Sequence, residues 1–159
     1  MNFTEKKLKV HSLEAGQSLL ELAVSLVLLL IILAGIVDLG RAILSYFTLQ
    51  DAAEEGIVYG VAFPTDCNQI VLRIRSDLTN TLVRDTYTIN VGIEDASGNY
   101  TSCYSIPHDQ VYASKKMQII LEYKFPISMP FLGAFTGQEI PMTITTNGVI
   151  LRPPPPTTP

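Results

Sequence analysis

Apolar and polar positions divide the chain into three stretches with different periods. The first has no polar period at all. From Leu22 to Val37 sixteen residues pass without a charge, and twelve of them are Leu, Ile or Val. At about −0.3 to −0.6 kcal/mol each, these twelve favour bilayer insertion by roughly 4 to 7 kcal/mol. Glu21 stands at the start of the run. A carboxylate costs about 3 kcal/mol at the bilayer centre and less near the edge, so insertion wins. Counted from Leu19, the run to Val37 approaches the ~20 residues a spanning helix needs, which sets the expected membrane segment at about 19–37. A buried core helix is the other reading of such a run, but nothing else in the chain is large enough to bury it.

The helical pattern continues past the membrane. Leu39, Ile43, Tyr46, Leu49, Ala53 and Ile57 recur at spacings of three and four, while Arg41, Ser45, Thr48 and Glu55 mark a wetter face. One helix of about 60 Å is therefore expected from Ser18 to Tyr59, within a segment 17–59. Gly56, Gly60 and Pro64 read as its stop signals. A second helix is expected over 68–83. Ile70, Ile74, Leu78 and Leu82 form its inward stripe, Arg73, Ser76, Asp77 and Asn80 its wet side, and Asp66 or Asn68 its cap.

The period then changes to two. Tyr87, Ile89, Val91 and Ile93 alternate with polar residues or glycine, as in a half-buried strand. Ser97, Gly98 and Asn99 supply a turn, and a short return strand over 100–105 carries Cys103. Met117, Ile119, Leu121, Tyr123 and Phe125 give a third strand, and Ile140, Met142, Ile144 and Thr146 begin a fourth that ends near Leu151. The proline-bearing stretch between them, 126–141, reads as a loop. The fold class is therefore α+β: a long helix, a second helix and a C-terminal antiparallel sheet of about four strands with helices on one face. The expected domain 60–151 is followed by a proline-rich tail, 152–159.

The flanks set an orientation. Lys6, Lys7 and Lys9 precede the apolar run and only Arg41 closely follows it. The lysine side should stay cytoplasmic and the later residues should lie outside, in a single-pass protein of the inner membrane. An ordinary cleaved signal would place small residues after its apolar core, where Ala34 and Gly35 stand, but would leave Gly16 and Glu21 without a role. Two cysteines, Cys67 and Cys103, agree with an outside location, where an even count in a small domain reads as one disulfide. A net charge of −4 offers no basic footprint for nucleic acid.

Little in the sequence serves catalysis. Its two histidines, His11 and His108, form no metal cluster with the cysteines, and no Gly-rich phosphate loop follows a strand. No enzymatic activity and no cofactor are expected.

The remaining chemistry is that of assembly. Gly16, Leu19-Leu20, Glu21 and the apolar helix behind a lysine-bearing leader, 1–16, resemble a type IV prepilin signal. In that family a membrane peptidase cuts after the glycine and the helix stays on the mature protein. Cutting after Gly16 would create an ammonium on Gln17 able to neutralise a neighbouring subunit's Glu21, an expensive charge when unpaired in a low dielectric. Gln17 departs from the aromatic or aliphatic first residue of many pilins.

The rest of the chain is similar to the TadE/TadG-like minor pilins, or pseudopilins, of the tight-adherence pilus. The similarity rests on GQSLLELAVSLVLLL, on Asp38-Leu39-Gly40-Arg41 at the outer end of the run, on the small-residue stretch DAAEEGIVYGVA, and on YKFPISMPFLGAF followed by ITTNGVILR. It implies a pilus or secretion-system subunit processed between Gly16 and Gln17 and assembled through Glu21, with adhesion or filament initiation left to the outer domain. Its partners would be other pilin or pseudopilin subunits, the prepilin peptidase and membrane lipid. Gly35 and Gly40 would allow close helix approach, with Asp38 and Arg41 beside them at the helix interface, where the two also form an i, i+3 pair. The rival expectation is an uncleaved single-pass membrane protein whose outer domain binds a ligand alone.

Overall fold

The computed structural model describes residues 11–79, 82, 86–128 and 137–151, with side chains from Gly16 onward. The leader lysines, the expected end of the second helix near Val83, most of the loop before the last strand and the proline-rich tail lie outside the described residues.

The first helix, α1, spans His11–Ala62 and extends beyond the expected 18–59 at both ends. The chain divides into two compact units, Met1–Gly40 and Arg41–Pro159, and α1 contributes to both. Within the first unit, α1 is apolar and its described side chains are almost all exposed. The helix has a window of mean hydropathy 2.9 with none of it buried, long and apolar enough to cross a membrane.

The second unit is an α+β domain. The second helix, α2, spans Cys67–Thr79. Four strands follow: β1 Tyr87–Glu94, β2 Tyr100–Ser102, β3 Lys116–Pro126 and β4 Glu139–Val149. A short 3-10 turn, His108–Gln110, lies between β2 and β3. All pairs are antiparallel and the order is β2-β1-β3-β4. So β1 lies between its hairpin partner and β3, and the chain recrosses the sheet before β3 begins.

Alternation does what the sequence asks of it in β3. Met117, Ile119, Leu121, Tyr123 and Phe125 are all buried, and Val91, Ile93 and Ile144 join them. Of the residues expected to face inward from the second helix, Ile70, Ile74 and Leu78 lie in α2 and Leu82 lies beyond its end, and all four are buried in the same core. Asp66 caps α2 by accepting the Gln69 N–H at 3.3 Å.

The inward face of α1 differs from the expected one. Ile43 and Tyr46 are exposed, while Ser45 is buried together with Leu49, Ala52, Ala53 and Ile57. Gly56 and Gly60 do not stop the helix. They are buried on this face, where a Cβ on Gly56 would fall 2.5 Å from Ile74 Cγ1 and one on Gly60 would meet Met117 Sδ. Small side chains let the helix axis approach the core closely, so the buried stripe follows size as well as hydropathy. α1 ends instead at Ala62, two residues before Pro64.

Candidate functional site

The candidate residues fall along α1. Gly16 lies within the helix and has nothing within 4 Å of the position a Cβ would take. Gln17 follows it, also exposed, and Glu21 lies one turn further along, exposed at the edge of the apolar run. Gly35 is half-buried. Asp38 is 7% exposed and engaged in a polar interaction. Gly40 is open, with no atom within 4 Å of a Cβ built there. The first unit therefore presents the Glu21 carboxylate followed by an exposed apolar surface.

Arg41 opens the second unit. Its guanidinium lies over the Phe125 ring, 5.5 Å from the centroid, and donates a hydrogen bond to the Ser128 hydroxyl. It thus ties this turn of α1 to the end of β3. With the guanidinium exposed over a buried ring, such a cation–π contact is worth about 0.5–2 kcal/mol. Sequence reading placed Arg41 at the outer end of the apolar run but had no signal for Phe125 or Ser128, more than eighty residues away.

Further along α1, Ile43, Leu44, Phe47 and Val58 are each about half exposed or more. They form an apolar outer face opposite the small-residue face that packs on the sheet. A second clip holds α1 to α2: Arg73 pairs with Glu55 at 3.0 Å and lies 4.3 Å over the Tyr59 ring. Both charged groups are about half exposed, so the ion pair itself contributes roughly 0–1 kcal/mol.

Cys67 and Cys103 form a disulfide, with Cα atoms 6.0 Å apart. It joins the first residue of α2 to the residue after β2, and the Cys103 N–H donates to Val91 O at 2.9 Å. The β1–β2 turn is organised by Asp95. Its carboxylate accepts the Ser97 N–H at 2.7 Å, the Asn99 N–H at 3.0 Å and the Thr101 hydroxyl at 3.4 Å. These bonds, that from Asn99 foremost, hold its carboxyl below the ordinary carboxylate range. Ser97, Gly98 and Asn99 marked the turn in the sequence, but the role of Asp95 depends on how the strands close.

Comparison with known families finds a match along α1. Residues 16–57 match the family described as TadE-like protein, which is structural and pilus-associated. The match begins at Gly16 and covers the apolar run, Asp38 to Arg41 and the small-residue face as far as Ile57. No curated protein and no solved structure matches the chain.

Proposed function

We propose that this chain is a minor pilin-like subunit of a bacterial surface pilus or related secretion system. A prepilin peptidase cuts it between Gly16 and Gln17, and it enters the assembly through α1. The observation that carries this reading is the family match, which starts at the candidate cleavage glycine and runs past Glu21 along the apolar helix.

The physical argument concerns Glu21. Inside a bundle of apolar helices an unpaired carboxylate is strongly disfavoured. The new ammonium of Gln17 on an adjacent subunit neutralises it and fixes the axial register. Gly35 and Gly40 allow close approach between helices, and the exposed Ile43, Leu44 and Phe47 extend the packing surface beyond the bilayer. The leader lysines keep the N-terminus cytoplasmic, so the sheet domain faces outward, where its disulfide is stable.

Replacing Glu21 by Ala tests the assembly role. The variant inserts into the membrane at the normal level but is lost from sheared or purified filaments. Normal incorporation of Glu21→Ala would contradict the reading and favour a single-pass protein acting through its outer domain alone.

A further inference from the structure

At the edge of the sheet, where β1 runs on past the end of β2 and beside α2, lies a groove of about 390 Å³, within the roughly 300–1,000 Å³ typical of small-ligand sites. Gly92 forms its floor, where a Cβ would crowd Tyr100 Cβ at 3.2 Å. Tyr100 and Tyr104 stand beside it, 42% and 62% exposed. Asn90, Ser102 and Gln118 supply its polar groups, and no charged side chain lines it.

The polar groups have capacity to spare. Gln118 donates one hydrogen bond to Asn147 Oδ1 at 3.1 Å, which orients its amide. The Asn90 amide has no hydrogen bond among the described residues. The backbone adds a fixed donor and acceptor. β2 pairs only with Gly92, Ile93 and Glu94, and Cys103 reaches Val91. The ladder between β1 and β3 takes Thr86 O inward, so by alternation the N–H and C=O of Ile89 point to the open edge at the groove. The disulfide fixes the wall, since Tyr104 follows Cys103 and Val71, at the groove's other side, lies one turn after Cys67 on α2.

The geometry points to a binding site for a neutral oligosaccharide. Two exposed phenol rings offer flat apolar faces to the C–H face of a pyranose. Two amides and a hydroxyl match vicinal hydroxyls, which both donate and accept. The uncharged lining offers nothing to an ionic ligand. An added peptide strand is disfavoured because β2 and Tyr104 close the edge after Val91, leaving only a short free stretch. The site lies wholly in the sheet domain and does not depend on filament assembly, so a negative result here leaves the assembly role untouched.

The test uses the full chain in a phosphocholine detergent, which carries no sugar headgroup. N-acetylchitotriose, cellotriose, maltotriose and the charged sialyllactose are titrated calorimetrically. At least one of the three neutral sugars binds, and sialyllactose binds no more tightly. Tyr104→Ala and Asn90→Ala each weaken that binding by about tenfold or more, as expected for loss of a stacked ring or a paired amide. Tyr104→Phe retains most of it. All three variants unfold at the parent temperature, since both side chains are exposed. Absence of neutral-sugar binding up to about 10 mM, near the weak limit of specific recognition, overturns the proposal. So does sugar binding that survives both alanine substitutions. Binding of an alternating Thr–Val hexapeptide in place of the sugars would assign the groove to strand addition and overturn it equally.

Discussion

Gly56 and Gly40 lie on one helix in opposite circumstances. A side chain on Gly56 would enter the space of Ile74, which is fully buried. Gly56→Leu should therefore destabilise the sheet domain by about 1–3 kcal/mol through overpacking, measured as a fall in the thermal midpoint of the full chain in detergent. Gly40 meets nothing, so Gly40→Ala should leave that midpoint unchanged or raise it, because alanine favours a helix over glycine by up to about 1 kcal/mol. If Gly40 faces a neighbouring helix in the filament, the same variant should incorporate less well. Asp95 makes a second prediction. Its folded pKa is lowered, so its contribution to stability is present above the unfolded value of about 3.9 and is lost as pH falls through the folded value. The stability difference between the parent and Asp95→Asn in urea melts should shrink below about pH 4. A difference that grows on acidification would contradict the assignment. Neither glycine's circumstance was legible in the sequence, where Gly56 read as a stop. The missing signal was the spacing of small residues, Ser45, Ala52, Ala53, Gly56 and Gly60, which marks a close-packed face as clearly as large apolar residues mark an ordinary one.

At the scale of elements, periodicity carried most of the information. β3 alternates without exception and its five inward residues are buried as the sequence requires. α2 shows the same fidelity through Ile70, Ile74 and Leu78. The strand order was less accessible, because alternation fixes which face a residue takes and not which strand lies beside it. β2 is short, and the chain leaves the edge at Cys103, which is bonded to Cys67 at the start of α2. On the chain-entropy account, a closure with a sequence separation of 36 stabilises by about 4 kcal/mol. Cys67→Ser should lower the unfolding free energy of the sheet domain by about 3–4 kcal/mol, read by urea titration under non-reducing conditions. A loss below about 1 kcal/mol would mean that packing of α2 alone sets this corner of the domain.

For the whole molecule, one long helix joins two environments. From Leu22 to Val37 it is an uncharged apolar rod that begins beside Glu21, and beyond Arg41 it becomes a wall of the sheet domain. The first part was readable from composition alone, because a run of this length and apolarity has few other uses. Arg41 against Phe125 and Ser128 was not readable, since those partners meet only after the sheet closes. The assembly reading requires the carboxylate of Glu21 to find a positive charge, and the α-amine freed by cleavage is the nearest source in sequence. The direct measurement is intact-mass and N-terminal peptide mass spectrometry of the chain recovered from assembled filaments. The account predicts a mature protein that begins at Gln17. Filaments containing the chain with Met1 and its leader still attached would contradict it.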